Sequence, residues 1–351
     1  MAKISAIIRE DAGLVANRMD CMSEFSGNTV LLTGATGFIG SFLLDIFAEW
    51  NKTVPIPARI LAVDNNLVGL SERVAHLRER TDFTFFTHDI SKPFKADEPI
   101  NFIIHCAGVA SPSFYRQHPL ETIDVNVDGT RRLLELCRTH PVKGMLHLST
   151  SEIYGDPSPD AIPTKEDYRG FVSCTGPRAC YDESKRLAEA LCVIYHGKYC
   201  VPVKVGRPFN VYGPGQRLDD RRIIPDLINS VINNDPIVLF SNGQATRSFC
   251  YIRDAAWAML GVLLRGRPGE AYNIGNDREE VTMLQVAQIL KEVSGYPKPI
   301  EHQASCDLNY LVDNPQRRCP DLSKLKTLGD FVPSVLLREG LARTLQSYRE
   351  E

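Results

Sequence analysis

The sequence predicts an α/β fold: a doubly wound parallel sheet followed by a smaller, mixed C-terminal domain. Three observations carry this. Short apolar runs without polar alternation recur up to Pro208, helical segments separate them, and beyond Pro208 the alternation loosens while Gly and Pro thicken, as in "RPFNVYGPGQR". A strand that is apolar on both sides must be covered on both sides, and in a parallel sheet the crossover helices supply the cover.

The elements come in order. "TVLLTG" (Thr29 to Gly34) reads as a buried strand, "FIGSFLLDIFAEW" as a helix and "RILAVD" (Arg59 to Asp64) as a second strand. "HDI" (His88 to Ile90) closes another strand, and "NFIIHCAG" (Asn101 to Gly108) is the next. Then come a helix through "NVDGTRRLLELCRTH", a strand at "GMLHLST", a helix through "YDESKRLAEALCVIYHGKY" and a strand at "PVKVGRP". Shorter elements succeed them at "IIPDLINSVI", "PIVLF", "SFCYIRD", "AWAMLGVLL" and "TMLQVAQILKEV". The expected division is an N-terminal helical extension over residues 1–28, a nucleotide-binding domain over 29–207 and a substrate-binding domain over 208–351. The chain around 247–275 is expected to return to the first domain. Ile4, Ile7, Ile8, Leu14 and Val15 make the lead-in segment loosely amphipathic.

Bulk properties exclude several classes. The 351 residues are 43% hydrophobic and 24% charged, which fits a globular protein and not a fibre or a disordered chain. A net charge of -3 gives no general attraction for nucleic acid or an acidic membrane. The 10 cysteines form no CxxC pair and no zinc-ligand spacing, so no metal is expected. They read as reduced, small apolar residues, which points to the cytoplasm. No run reaches the ~18 apolar residues of a membrane span, and Arg9, Glu10 and Asp11 interrupt the place of a secretory apolar region.

The first strand runs into "GATGFIG", with Gly34, Gly37 and Gly40 at a strand-to-helix turn. In a Rossmann-type fold the first glycine permits the turn, the second lets backbone approach a pyrophosphate, and the third lets helix and strand pack closely. The loop residues Thr36, Phe38 and Ile39 are expected to touch the same ligand. Asp64 ends the second strand, where a carboxylate accepts hydrogen bonds from ribose hydroxyls and repels a 2′-phosphate; NAD is therefore expected over NADP. At neighbouring strand ends Asp89 and Ile90 would serve the adenine edge, or simply form a solvated strand end, and Ala107 completes the cofactor contacts.

"STSEIYG" places Thr150, Ser151 and Glu152 at the carboxyl end of a parallel strand, where ligands bind in open α/β sheets. Tyr181 and Lys185 come next, at the i, i+4 spacing that stacks two side chains on one helix face. A phenol with an ordinary pKa near ~10 is a poor base at neutral pH. A neighbouring ammonium and a cationic nicotinamide would both favour its phenolate.

Together, "GATGFIG", the Thr150 strand and "YDESK" resemble the extended short-chain dehydrogenase/reductase family of sugar-nucleotide epimerases, dehydratases and decarboxylases, over Thr29 to about Tyr348. The resemblance implies that Tyr181 is the catalytic base, Lys185 its partner and Thr150 a hydroxyl sharing the sugar 4-OH. All branches oxidise C4 and differ in the step after that oxidation. Dehydratases carry an Asp-Glu pair where this chain has Ser151-Glu152, and epimerases have small residues there. The UDP-glucuronate decarboxylase branch has Ser-Glu, and "ASPSFYRQHPLETIDVNVDGT", with Ser111, and "GPRACYDESKR" also resemble that branch. Arg318 of "RRCPD" matches an arginine that meets the sugar carboxylate or C5, though the same arginine recurs with neutral sugars. "GRPFNVYGPGQR" is closer to the epimerase and dehydratase pattern and leaves the sugar and base open. For the nucleotide diphosphate the expected contacts are Asn210, Arg217 and Arg247, with Tyr251 beside them; arginine offers a planar fork matched to phosphate oxygens.

The expected function is thus NAD-dependent conversion of a UDP-sugar or another NDP-sugar through transient C4 oxidation, with decarboxylation of UDP-glucuronate leading and 4-epimerisation or 4,6-dehydration as alternatives. A non-catalytic NAD-binding sensor is the reading from another class; the intact Tyr181 and Lys185 argue against it. The resemblance also implies a homodimer, paired through the helices after "NVDGT" and at "YDESKR".

Overall fold

The computed structural model describes residues 4–305, 312–329 and 331–350. Its centre is a seven-stranded sheet: β1 (Thr29–Thr33), β2 (Arg59–Asp64), β3 (Phe83–Thr87), β4 (Phe102–His105), β5 (Gly144–Leu148), β6 (Val203–Pro208) and β7 (Ala271–Ile274). The spatial order is β7-β6-β5-β4-β1-β2-β3, with every pairing parallel. All five residues of β1 and of β5 are buried, which explains why those strands show no polar alternation. Strand order reverses between β1 and β4, so their carboxyl ends open the crevice where an α/β sheet binds its ligand.

Helices α1 (Ala6–Arg18), α2 (Phe38–Trp50), α3 (Thr130–Thr139), α4 (Ala179–Tyr199), α5 (Ile223–Ile232), α6 (Ile252–Arg265), α7 (Met283–Ser294) and α8 (Leu337–Glu350) complete the main elements. Helix α2 is apolar almost all round, with ten of its residues buried between the sheet and α1, as its sequence predicts. Entry to α3 passes through a π-helical stretch, Val125–Gly129, where buried Asn126 donates to Ser184 of α4 at 2.9 Å. After Tyr251 the chain comes back to the sheet: α6 packs on β5 and β6, and β7 pairs with β6. The "HDI" segment comes after β3 without extending it; the Asp89 carboxylate accepts the Ser91 N–H at 2.9 Å and so closes its own turn.

The lead-in helix is part of the core. Asp11 of α1 is fully buried and accepts hydrogen bonds from the Tyr251 hydroxyl (2.7 Å), Arg343 (2.9 Å) and Arg253 (3.2 Å). Ser5 caps α1 and donates to Glu350 at 2.9 Å, tying both ends of the chain together. Burial raises the Asp11 carboxyl pKa, and the tyrosine and two arginines oppose that rise.

One small ribbon positions arginines. Thr246–Arg247 pairs in parallel with Arg317–Arg318 and antiparallel with Val281–Thr282, which brings Arg318 opposite Arg247. Neither this pairing nor its face can be read from spacing along the chain.

Candidate active site

A cleft of about 1750 Å³ runs from the glycine loop across the carboxyl ends of β1, β4 and β5 to the arginine ribbon. It is lined by Gly34, Thr36, Gly37, Phe38, Ile39 and Gly40 at one end, by Thr150, Ser151, Glu152, Tyr181 and Lys185 in the middle, and by Ser111, Asn210, Arg217, Arg247 and Arg318 beyond.

The glycine end has the form of a dinucleotide cradle. Gly34 sits in the left-handed region (φ 71°), and a Cβ on Gly40 would lie 2.0 Å from the Gly34 carbonyl oxygen, so this turn and this helix approach tolerate no side chain. Gly37 begins α2 without a side-chain cap, leaving the N-terminal N–H groups and the positive helix end facing the cleft. These are the groups that bind a phosphate at a helix N-terminus.

Asp64 ends β2 as expected, and its carboxylate accepts the N–H groups of Thr36 (2.9 Å) and Asn66 (2.8 Å). It does not line the cleft, because the segment after it folds back on the loop: the Leu70 N–H donates to the Thr36 carbonyl at 3.2 Å. Asp89, Ile90 and Ala107 are also outside the lining. Asp89 holds its turn, Ile90 is buried in the core, and the Ala107 N–H donates to the Thr33 hydroxyl at 3.4 Å.

Tyr181 and Lys185 both lie buried on the face of α4 turned to the sheet. The Tyr181 ring stacks on Tyr115, with centroids 5.2 Å apart and planes 7° from parallel. Burial pushes the phenol up to about 12, against a hydrogen bond from the Thr150 hydroxyl. Glu152 and Asp182 add to the rise, and Arg222 opposes it. The Lys185 ammonium donates to the Leu148 carbonyl at 2.8 Å, and burial pulls its pKa down to about 8.

Glu152 is gripped from two sides. Its Oε2 accepts from Arg318 Nη2 at 2.7 Å, Arg318 Nη1 bonds Oε1, and Arg178 Nη2 bonds Oε2. Burial alone would raise the Glu152 carboxyl; Arg178, Arg318 and Arg247 outweigh it and hold its pKa far below the ordinary carboxylate range. Arg178 comes from "GPRAC", one turn before Tyr181, and no site role was read for it in the sequence. The local signal was there, since that spacing puts Arg178 on the side of Tyr181.

The remaining expectations divide. Arg247 is buried and, among the described residues, its guanidinium donates to neutral groups, the Pro315 carbonyl at 2.6 Å and the Asn314 amide oxygen at 2.9 Å among them. Burial, with Arg318 and Arg178 close by, lowers its pKa to about 9, against the opposing pull of Glu152 and Asp156. Arg217 donates to the Val68 carbonyl at 2.8 Å and pairs with Asp219. Asn210 donates to the Ser248 carbonyl at 3.1 Å, and Ser111 to the Asp220 carbonyl at 2.7 Å. Tyr251 is not at the cleft: its hydroxyl is taken by Asp11 in the interior beneath α1. Tyr115 and Arg222 line the cleft and carried no sequence expectation.

Chemically, Tyr181 in the middle of the cleft presents a phenol to an alcohol, and the arginine end can hold a negatively charged group beside Glu152. Similarity to known proteins agrees. The model of the NAD dependent epimerase/dehydratase family matches residues 30–275. The chain is 36% identical over 320 residues to UDP-glucuronic acid decarboxylase 1 of Arabidopsis thaliana, covering 91% of this chain and 69% of that protein. It is 34% identical over 330 residues to UDP-glucuronic acid decarboxylase 1 of Xenopus tropicalis, covering 94% and 74%. Among solved structures, UDP-glucuronic acid 4-epimerase from Bacillus cereus, in complex with UDP-glucuronic acid and NAD, aligns with a TM-score of 0.76 and 26% identity over 92% of this chain and 99% of that one. The family's cofactor, NAD, fits the side-chain-free cradle at Gly34 and Gly40 and the uncapped start of α2. On fold, site and similarity, the chain belongs to the NAD dependent epimerase/dehydratase family.

Proposed function

We propose that the protein is an NAD-dependent UDP-glucuronate decarboxylase that forms UDP-xylose. The observation that carries this reading is the arrangement of Arg178, Arg318 and Arg247 around Glu152, next to Tyr181 and Thr150. Such a surplus of positive charge suits a ligand with both a diphosphate and a sugar carboxylate.

Bound NAD supplies the acceptor and later the donor of the C4 hydride. Tyr181 takes the proton of the 4-hydroxyl, with Thr150 orienting the oxygen. The Lys185 ammonium, charged below about pH 8, favours the phenolate once a cationic ring adjoins it. A 4-keto sugar with a carboxylate at C5 is a β-keto acid: the C5–C6 bond breaks, its electron pair enters the C4–C5 enolate, and CO2 leaves. Arg178 and Arg318 stabilise that negative charge, and a proton returns to C5 through water held at Glu152. Tyr181 gives its proton back as the C4 alcohol re-forms.

Purified protein given UDP-glucuronate should release CO2 and yield the pentose nucleotide by mass spectrometry. Turnover of a neutral hexose nucleotide with no action on UDP-glucuronate would sink the reading. A second reading, 4-epimerisation, draws on the "GRPFNVYGPGQR" segment and the 4-epimerase likeness; its product would be an isomer with no mass change.

A homodimer is part of the proposal. Leu120, Ile123, Leu187 and Ile194 are exposed on the helix before the π-helical stretch and on α4, elements that pack side by side. The nine described cysteines are free, and no described helix is long and apolar enough to cross a membrane; both support a cytoplasmic setting.

A further inference from the structure

One buried carboxylate beside the site is used neither by the proton-transfer pair nor by the diphosphate arginines. Asp182 is 5% exposed, does not line the cleft, and places Oδ2 3.6 Å from Arg178 Nε. Its Oδ1 is buried with no hydrogen-bond partner among the described residues, and so is Arg178 Nε. Arg178 therefore stands between two carboxylates, Glu152 on its Nη2 and Asp182 on its Nε side. The described charged and titratable groups facing Asp182 are Arg178, Cys180 and Tyr181 at the start of α4, Glu152 after β5, Arg318 of the ribbon and Tyr115 of the short helix Pro112–Gln117.

We propose that Asp182 is a positioning residue which, through Arg178, sets the pH range over which the cleft accepts a sugar bearing its own carboxylate. The inference rests on the substrate class assigned above. A substrate carboxylate at Arg178 and Arg318 brings a further negative charge to a guanidinium already shared by two carboxylates. Like charges disfavour one another's ionised forms, so the bound state favours a proton on Asp182. Burial and Glu152 already push that carboxyl up to about 7, while Arg178 and Arg318 oppose them. The neighbours titrate elsewhere: Glu152 far below neutrality, and Tyr181 and Tyr115 far above. Binding of the carboxylated sugar then takes up a proton, and its affinity falls as pH rises through the Asp182 titration.

The test is calorimetric titration of the NAD-supplemented enzyme with UDP-glucuronate and with UDP-glucose, from about pH 6 to about pH 8.5, in buffers of different ionisation heat. The wild type should lose affinity for UDP-glucuronate by up to roughly tenfold per pH unit above about 7, with uptake approaching one proton. Asp182→Asn should give a flat profile, Asp182→Glu should restore the slope, and UDP-glucose should be flat throughout. Absence of proton uptake in the wild type, an unchanged slope in Asp182→Asn, or the same slope with UDP-glucose would each overturn the assignment. Thermal melting and NAD content establish that the variants are folded; were Asp182→Asn to fail there, the wild-type proton count and Asp182→Glu decide. A pH-linked affinity without CO2 release would remove the decarboxylase reading and leave Asp182's role standing. CO2 release with an unaltered Asp182→Asn slope would do the reverse.

Discussion

Glu152 and Arg318 lie far apart in the sequence, yet the guanidinium of one takes both oxygens of the other at the mouth of the catalytic strand. Arg318 is brought there by pairing opposite Arg247, and Glu152 by the 3-10 turn Ser151–Tyr154 that Thr150 caps, its hydroxyl accepting the Glu152 N–H at 3.2 Å.

Arg318→Lys should keep the charge and lose the fork. Lysine cannot take both carboxylate oxygens, so Glu152 gains freedom and its pKa rises towards the ordinary range. The expected result is a fall in kcat/KM of about tenfold or more, with the acid limb of the pH–rate profile moved to higher pH. Steady-state kinetics across pH checks it.

Activity and stability should respond to pH in opposite directions at Lys185. Its folded pKa, about 8, is below its ordinary value of 10.5, so between these the unfolded chain binds the extra proton. Stability attributable to this residue therefore rises with pH over that window, because the buried ammonium is relieved of its charge. The ammonium needed beside Tyr181 disappears over the same range, and turnover should fall. Melting temperatures of wild type and Lys185→Met, compared from about pH 7 to about pH 10, should show the wild type gaining on the variant while its kcat drops.

Gly40→Ala should abolish cofactor retention. The new methyl would lie 2.0 Å from the Gly34 carbonyl oxygen, a backbone atom, so the glycine turn or α2 must move. Purified variant is expected to carry little NAD and to bind added NAD ~30- to ~150-fold more weakly, given the ~2–3 kcal/mol cost of overpacking such a contact. Fluorescence or calorimetric titration with NAD measures the change.

Asp11→Ala should destabilise the fold without touching the chemistry. It leaves Arg253, Arg343 and the buried Tyr251 hydroxyl without the carboxylate they share. Breaking a buried pair from one side costs about 3–5 kcal/mol, and the lower end is expected because Arg343 also pairs with Glu10 and Arg253 with Ser334. Denaturant unfolding should show the loss, and kcat per folded molecule should be preserved.

What the chain order reveals about this protein is what neighbours in sequence do. The glycine loop, the carboxylate ending β2, the Thr150 strand end and the Tyr181–Lys185 spacing are each local, and backbone geometry alone puts them at the edge of a parallel sheet. The strand β7 was harder to see: four residues, "AYNI", say little before β6 is there to pair with them. Tertiary structure decided the rest. Arg178 and Asp182 sit four residues apart at the start of α4, but Arg318 joins them at Glu152 only because the C-terminal ribbon folds across the β5 end, and that contact leaves no spacing rule along the chain. Tyr251 went the other way, since a phenol next to a helix start could face the cleft or the core, and the buried Asp11 of α1 took its hydroxyl. Sequence thus determined where the glycine loop, Thr150, Tyr181 and Lys185 stand, since each lies on a single element; only the folded chain determined which charges share the cleft, because that depends on contacts between distant segments.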